Sequence, residues 1–372
     1  MKRFNYVRKH CLKLVHLGRL YTVERRRGGW KRRAVRAVRY EEPRRFSVLD
    51  VPRPRPGAGE ALVRMTAAGV CGTDLHIHDG DFFASFPLTP GHEMVGVVED
   101  VGDGADPGLQ GETVAVNGNW GCGRCAFCAT GDRLLCRDLT AIGVTRDGGF
   151  AEYVLAPAAQ CFPVSDLPAD VSVMVEPTAC AVHGLDVIGT RPGIDALVIG
   201  SGPTGLILAQ LLMHNGAARV TTAGRTSFKL DVARGLGIDS TILLEPDIQS
   251  RVAALRRRAP DGFDVVADAT GSSEVSAMSV QLAKDGGTVL WYGVMAPQDV
   301  AAVSPYEVYR RQLSIKGSFA QVECFPRAIA ALRSGRVKTT GIITHRFGLH
   351  QFGDCLETVR ADRSCLKAII QI

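Results

Sequence analysis

The chain has 372 residues, of which 46% are hydrophobic and 22% are charged, and it contains 11 cysteines. This length favours two domains, and no apolar run approaches the ~20 residues that span a membrane. The net charge of +6 is concentrated at the start, because residues 1–33 hold 12 Lys and Arg against Glu24 alone. The rest of the chain has 32 basic and 37 acidic residues, which argues against a basic surface for nucleic acid.

Residues 1–33 form a basic extension that lacks the apolar segment of a secretory signal. This composition fits a nucleic-acid or membrane-surface arm or a transit-like segment. It also fits a solvated tail, or a start site assigned upstream of the natural one. The alternation of residues 34–40 predicts the first strand of the folded body. We therefore expect residues 1–33 to be disordered and dispensable.

Residues 34–153 consist of short alternating runs that Gly and Pro interrupt, and residues 60–65 and 94–102 are typical of strands. We expect a compact, mostly β, barrel-like domain. Within it the sequence reads Cys71-Gly72-Thr73-Asp74-Leu75-His76 and later Gly91-His92-Glu93. A thiolate and an imidazole are ligands that Zn²⁺ prefers, and Glu93 offers a third. These residues alone leave open a buried Cys and His without a metal.

The spacing Cys122-x2-Cys125-x2-Cys128-x7-Cys136 is the most specific signal in the chain. Four thiolates on a glycine-rich loop complete a tetrahedral shell, which predicts a structural zinc site. A redox Cys-x-x-Cys pair and an iron–sulfur cluster remain as alternatives. The clustering favours a metal in a reducing compartment, hence a cytoplasmic protein. The other cysteines of the body show no pattern and are interpreted as buried apolar residues: Cys161, Cys180, Cys324, Cys355 and Cys365.

After Arg191-Pro192-Gly193 the sequence pattern changes, and predicted strands alternate with predicted helices. An apolar strand at residues 194–199 precedes a G-x-G-x-x-G turn, formed by Gly200, Gly202 and Gly205, and a helix at 206–215. Such a turn brings a pyrophosphate to the N-terminus of the helix. Further strands at residues 220–222, 264–267, 288–291 and 313–315 predict a doubly wound sheet.

The end of the second predicted strand bears on the choice of cofactor. NAD-binding folds usually place an acid there to bind the ribose 2′-OH, whereas this chain has Gly224. Arg225 offers a bidentate fork to a 2′-phosphate, and Lys229 adds a positive charge. Thr226 and Ser227 supply hydroxyl donors. We expect NADP, with NAD possible; the alternative is that Arg225 is a solvated loop residue.

Together these motifs resemble the zinc-dependent medium-chain alcohol dehydrogenase family over residues 34–372, and within it the polyol (sorbitol-type) branch. The polyol branch has Glu-Pro where liver-type enzymes have Cys, and this chain reads Glu176-Pro177. The resemblance implies an α/β protein. A GroES-like catalytic domain would comprise residues 34–184 and 321–372, and a doubly wound Rossmann domain residues 185–320.

The resemblance also implies roles for individual residues. Cys71 and His92 would hold a catalytic zinc, with Glu93 and Glu176 as inner-sphere or water-linked carboxylates. The resemblance implies that Thr73 contacts the substrate alcohol and that His76 transfers its proton to solvent. It also implies that Asp74 orients the zinc-bound imidazole and that Arg311 contacts polyol hydroxyls. Ile77 departs from the Tyr that sorbitol-type enzymes often have, so the identity of the sugar alcohol stays open.

The expected activity is zinc-dependent hydride transfer between NADP and an alcohol/ketone pair, most readily a sugar alcohol and its keto sugar. Two zinc ions per chain, a small-molecule substrate and a homodimer or homotetramer are expected, with no nucleic acid or membrane partner. One alternative is an NADP-dependent reductase of simple aldehydes or secondary ketones. The other, from a different class, is a zinc-free nucleotide-binding regulatory protein.

Overall fold

The computed structural model describes residues 15–16, 19–20, 34–238 and 240–372. Two short strands, β1 (Val15–His16) and β2 (Arg19–Leu20), pair with each other. Apart from these, the prediction of a disordered, dispensable extension at residues 1–33 falls outside the described residues. Ala34 to Ile372 form one compact unit, and its first strand begins at Ala34 as the alternation predicts.

Strands and helices alternate irregularly along this unit. The strands are β3 (Ala34–Glu42), β4 (Arg45–Pro52), β5 (Glu60–Val70), β6 (Glu93–Val101), β7 (Thr113–Val116), β8 (Asn119–Trp120), β9 (Thr140–Ala141), β10 (Tyr153–Pro157), β11 (Cys161–Pro163), β12 (Asp195–Ile199), β13 (Arg219–Gly224), β14 (Ser240–Leu243), β15 (Phe263–Asp268), β16 (Ala283–Trp291), β17 (Ser314–Gly317), β18 (Ile343–Gly348) and β19 (Lys367–Gln371). The helices are α1 (Gly72–Asp79), α2 (Ala126–Ala129), α3 (Ala169–Ser172), α4 (Val175–Ile188), α5 (Pro203–His214), α6 (Ser227–Gly235), α7 (Ile248–Arg258), α8 (Ser273–Leu282), α9 (Pro305–Arg310), α10 (Phe325–Arg333) and α11 (Phe352–Ala361). Among the residues that the structure describes, no helix is long and apolar enough to cross a membrane.

The first sheet has seven strands in the order β11-β7-β6-β5-β19-β18, and β10 also pairs with β5. Strand β5 is long enough to take two partners along one edge. Its first half pairs with β10, and its second half pairs with β19 so that Val70 lies opposite Ala368. The end of the chain therefore lies beside the strand that leads into Cys71. We call this sheet with α1 and α11 the catalytic lobe.

The second sheet has six strands in the order β14-β13-β12-β15-β16-β17, and every pair in it is parallel. This is the predicted doubly wound sheet, and α5 to α8 connect its successive strands. Gly205 lets α5 approach the turn closely, since a Cβ there would lie 2.2 Å from the Gly200 carbonyl oxygen. We call this sheet and its helices the nucleotide lobe.

The predicted domain boundary between residues 184 and 185 falls inside α4. Gly184 is a buried residue inside this helix and lies against the Tyr292 ring, where a Cβ would be 3.1 Å from Cε2. The helix ends at Gly189, which adopts the left-handed conformation with φ of 69°. A division of the chain at 184/185 and 320/321 stays a proposal, and its first boundary fits the helix better near Gly189.

Three glycines pack around the backbone that leads into His92. Gly91 has φ of +100°, and a Cβ on Gly143 or Gly148 would lie 2.4 or 2.3 Å from the Gly91 carbonyl oxygen. No side chain fits at either position without moving the Gly91–His92 segment. The close packing of these loops therefore fixes the start of β6.

We predict that Gly148→Ala lowers the free energy of unfolding by about 1–3 kcal/mol, because the added methyl overpacks the Gly91 carbonyl. Gly235→Ala is the matched control, since Gly235 lies at the end of α6 with no atom within 4 Å of its added Cβ. Urea denaturation followed by circular dichroism measures both. A Gly148→Ala protein as stable as the Gly235→Ala control would contradict this packing.

Candidate active site

Two neighbouring strands bring Cys71, His92 and Glu93 together. Cys71 caps the N-terminus of α1 directly after β5, and Glu93 begins β6 opposite Gly69 of β5. One sulfur, one imidazole nitrogen and one carboxylate oxygen of these residues lie within 4.8 Å of one another. The donor set is one that zinc accepts, and three ligands leave a fourth position open.

Asp74 is buried beside this group and contacts two of its members. Its Oδ2 accepts a hydrogen bond from the Cys71 backbone N–H at 2.9 Å, and its Oδ1 lies 3.6 Å from Nδ1 of His92. Both the Oδ1 and the Nδ1 atoms are buried without a hydrogen-bond partner. Burial lowers the pKa of His92, but Asp74 and the Cys71 sulfur outweigh it and raise that pKa well above its usual value. Asp74 thus faces Nδ1 and leaves Nε2 as the ligand atom for a metal.

Glu93 forms a buried ion pair with Lys367, the first residue of β19. The Lys367 Nζ donates to Oε1 at 2.6 Å and lies 2.5 Å from Oε2, although the Oε2 contact lacks hydrogen-bond geometry. Burial lowers the pKa of Lys367, but Glu93 and Cys71 raise it above its usual value. Gly69 makes room for the carboxylate, since a Cβ there would lie 1.8 Å from Oε2. The Glu93 carboxylate therefore lies between Gly69 and Lys367 and beside Cys71 and His92.

Glu176 lies outside this group of three ligands. It is near the start of α4, and its Oε1 accepts a hydrogen bond from the Cys180 thiol at 3.2 Å, one helical turn further on. Burial raises the pKa of Glu176, His92 lowers it and Glu93 raises it again, so these charges interact. Cys180 is therefore a hydrogen-bond donor to Glu176, which corrects its interpretation as an apolar residue.

Thr73 and His76 occupy one helix beside the cluster. In α1 the Thr73 hydroxyl is 3.8 Å from the Cys71 sulfur, and Nδ1 of His76 lies 2.9 Å from Oδ1 of Asp81. The sequence reasoning missed Asp81 as a partner of His76. Its position directly after the helix-ending Gly80 was the available signal. The pair leaves Nε2 of His76 for proton exchange.

The four clustered cysteines converge as their spacing predicts. Their sulfur atoms lie within 4.8 Å of one another, and the Cys122 backbone N–H donates to the Cys136 sulfur at 3.2 Å. The Cys128 backbone N–H lowers the pKa of Cys125 to about 6, whereas burial raises that of Cys128 to about 11. Four sulfurs this close together fit a closed tetrahedral shell.

Arg311 does not lie near the zinc ligands, and the substrate role implied for it is wrong on this geometry. Its guanidinium pairs with Asp285 at 2.7 Å and donates to the backbone carbonyls of Val280 and Ala283. It precedes β17 at the amino-terminal edge of the parallel sheet. The glycine turn follows β12 at the carboxyl edge, so Arg311 faces the opposite side.

The glycine turn opens on a cleft of about 350 Å³ at this carboxyl edge. Gly200 has φ of 117°, and Gly202 caps the N-terminus of α5. The predicted nucleotide residues that line the cleft are Gly200, Gly202, Gly224, Arg225, Thr226 and Lys229. Ser227 is exposed and Gly205 packs behind the turn, so neither is among the lining residues.

Gly224 occupies the position where NAD-binding folds usually have an acidic residue, and there is little space for a side chain there. A Cβ at this position would lie 2.3 Å from Oγ of Ser201, which is itself buried. A carboxylate side chain there would displace Ser201. The turn is therefore shaped for glycine, and this agrees with the absence of an acid for the ribose hydroxyls.

A metal-ligand cluster in one lobe and a glycine turn in a parallel sheet define a nucleotide-dependent dehydrogenase as the class of protein. The model for the alcohol dehydrogenase GroES-like domain matches residues 57–166, and that for zinc-binding dehydrogenases matches residues 203–334. The chain belongs to the zinc-binding alcohol dehydrogenase family, which confirms the resemblance and the fold class.

Two relatives of this chain are named for sugar alcohols. D-arabinitol dehydrogenase 1 of Uromyces fabae is 42% identical over 337 residues, covering 90% of this chain and 96% of that protein. D-altritol 5-dehydrogenase of Agrobacterium fabrum is 37% identical and covers 85% and 93%. A zinc-binding dehydrogenase of Sinorhizobium meliloti 1021 bound to NADP has a TM-score of 0.86 and 33% identity, covering 91% of this chain and 100% of that one.

We predict that Lys367→Met lowers the free energy of unfolding by about 3–5 kcal/mol, because it leaves the Glu93 carboxylate buried and unpaired. Lys367→Arg keeps the charge and should retain most of the stability. The double change Glu93→Gln with Lys367→Met should recover part of the loss in urea denaturation. Equal stability of Lys367→Met and the parent would show that this ion pair contributes little.

Proposed function

We propose that the protein is a zinc-dependent, NADP-linked dehydrogenase that interconverts a sugar alcohol and its keto sugar. The grouping of Cys71, His92 and Glu93 carries this proposal, because it offers a metal three donors and one open position. The names of the relatives at 42% and 37% identity support a polyol substrate. The NADP in the related Sinorhizobium structure supports the cofactor.

Zinc held by Cys71, His92 and a carboxylate would supply the Lewis acidity that eases loss of the alcohol proton. Thr73 is placed to hydrogen bond with the substrate hydroxyl, since its Oγ1 lies beside the Cys71 sulfur. His76 would pass the proton to solvent from Nε2, because Asp81 holds its Nδ1. Asp74 would orient the imidazole of His92 through Nδ1.

Two carboxylates beside the metal ligands suit a substrate with several hydroxyl groups. Glu93 keeps one oxygen free of hydrogen bonds, and we propose it as the third zinc ligand. Glu176, held at one oxygen by Cys180, would accept a hydrogen bond from a substrate hydroxyl or a water with the other. A simple alcohol has no second hydroxyl group to donate to Glu176.

The preference for NADP follows from the turn after β13. Gly224 offers no acceptor for ribose hydroxyls, and Ser201 leaves no room for a larger residue. Arg225 is exposed in the cleft and lies where a 2′-phosphate would emerge from the ribose. Lys229, one helical turn further on, also lines this cleft and would add a second positive charge.

Self-association is proposed through the open edge of the nucleotide sheet. Strand β17 is the last strand of that sheet, and the nearby α9 exposes Tyr306 at 66% and Tyr309 at 81% of their surface. Exposed tyrosines that precede an edge strand are typical of a protein–protein contact. A homodimer or homotetramer would cover them.

We predict that pentitols and hexitols are oxidised with NADP⁺ at a kcat/KM at least tenfold above that of propan-2-ol. We also predict at least tenfold higher kcat/KM with NADP⁺ than with NAD⁺, because one well-formed charged hydrogen bond contributes about 1.5–3 kcal/mol. Absorbance of NADPH or NADH measures each reaction. Efficient turnover of propan-2-ol alone would contradict the polyol proposal, and a preference for NAD⁺ would contradict the cofactor proposal.

We predict two zinc ions per chain with separable roles. Cys71→Ser should abolish turnover while the melting temperature changes little, because that site serves chemistry. Cys125→Ser should lower both the melting temperature and the zinc content, because the four-sulfur site holds a loop with little core of its own. Metal analysis and activity assays check both variants. Near-normal turnover in Cys71→Ser would contradict the catalytic assignment.

A further inference from the structure

A second cavity, of about 380 Å³, adjoins the nucleotide cleft and lies between the two lobes. It shares five lining residues with that cleft, namely Arg225, Thr226, Lys229, Leu244 and Arg251. Its opposite wall consists of residues 359–363, at the end of α11 and in the link to β19. The catalytic lobe therefore closes one side of a space that begins where β13 ends.

The walls of this cavity are strongly basic. The cations that line it are Arg225, Lys229, Arg251, Arg360 and Arg363, and Asp362 is the carboxylate among the lining residues. Two of these charges are engaged elsewhere: Arg360 donates to Asp79 at 2.8 Å, and Asp362 accepts from the Ser364 backbone and hydroxyl at 2.7 Å each. The cavity is therefore lined by five cationic side chains and one carboxylate.

Three of the cations have no fixed partner. Within residues 34–238 and 240–372, Arg225, Lys229 and Arg363 make no ion pair and no side-chain hydrogen bond. Burial lowers the pKa of Lys229, and Cys365 and Asp362 offset this only in part. An anion in the cavity would favour the charged form of Lys229 and so offset the cost of its burial.

Arg251 places a fixed positive charge in the wall of the cavity. This side chain is only 6% exposed, and its Nε and Nη2 donate to the carbonyls of Glu245 and Pro246 at 2.7 and 2.5 Å. No carboxylate of the described residues pairs with it. A buried guanidinium that is held only by carbonyls retains its full charge toward the cavity.

We propose that this cavity receives the 2′-phosphate of NADP and that Arg363 of the catalytic lobe binds it together with Arg225 and Lys229 of the nucleotide lobe. The inference rests on the proposed NADP preference and extends it. The 2′-phosphate leaves the adenine ribose at the turn after β13, which is where the cavity begins. It brings about two negative charges near neutral pH, enough to engage cations on both walls.

The phosphate would then link the two lobes, which NAD cannot do because it lacks this group. Arg363 is exposed in the link between α11 and β19, so its replacement leaves no buried charge behind. Its contribution should therefore be confined to ligands with a 2′-phosphate. Arg225 should act in the same way from the opposite wall.

The test uses adenosine 2′,5′-bisphosphate and 5′-AMP, fragments that differ in the 2′-phosphate and lack the nicotinamide, with isothermal titration calorimetry on the full chain. The parent should bind the bisphosphate at least tenfold more tightly than AMP. Arg363→Gln should weaken the bisphosphate roughly tenfold, the size of one charged hydrogen bond, and AMP less than twofold. Arg336→Gln, at an exposed position after α10, is the matched control and should change neither.

The other outcomes separate this inference from the proposed function. Unchanged bisphosphate binding in Arg363→Gln, with a clear loss in Arg225→Gln, would overturn the inference and leave the NADP preference standing. Equal affinity of the parent for AMP and the bisphosphate would overturn both. A similar loss of both ligands in Arg363→Gln would indicate a structural role and also overturn the inference. Tight binding of inorganic phosphate alone would show a free-anion site instead.

Discussion

The buried ion pair between Glu93 and Lys367 is the interaction on which the active site depends. Removing two charges from water costs several kcal/mol for each ion, so the pair persists only because its geometry is close and enclosed. It joins Glu93, the first residue of β6 and the neighbour of His92, to the first residue of β19, near the end of the chain. The catalytic lobe is therefore complete only when the last strand has paired with β5, and the same strand brings the 359–363 segment against the nucleotide lobe.

Three neighbouring acidic residues at the site each have a different hydrogen-bond or ion-pair partner. Asp74 is held by the Cys71 backbone and faces His92, Glu93 is paired with Lys367, and Glu176 is tied at one oxygen to Cys180. These contacts fix the orientation of each carboxylate at the site. A metal cation at Cys71 and His92 would meet ligands whose directions are already set. This preorganisation is what a hydride-transfer site needs at the edge of a nucleotide cleft.

Local sequence patterns predicted the elements that depend on short spacing. The four-cysteine loop, the glycine turn before α5 and the pairing of Cys71 with His92 follow from residues close in sequence or joined by adjacent strands. Lys367 was missed because only the folded chain brings it to Glu93, which is 274 residues away in sequence. Asp81 and Cys180 lie close to their partners in sequence, but neither belongs to a motif that marks it as a partner. The substrate role of Arg311 was wrong because its motif fixes a strand but not which edge of the sheet the residue occupies. The domain boundary at residues 184/185 stays a proposal, although it falls inside α4, which continues to Ile188.

X-ray absorption at the zinc edge of the purified protein, combined with metal stoichiometry, tests the central claim most directly. The account predicts two zinc ions per chain with a mixed shell, sulfur at about 2.3 Å and nitrogen or oxygen at about 2.0–2.1 Å. Averaged over both sites, each zinc should have about 2.5 sulfur ligands, from the four-cysteine loop and Cys71. One zinc per chain with a shell of sulfur alone would contradict the account, because it would mean that Cys71, His92 and Glu93 hold no metal.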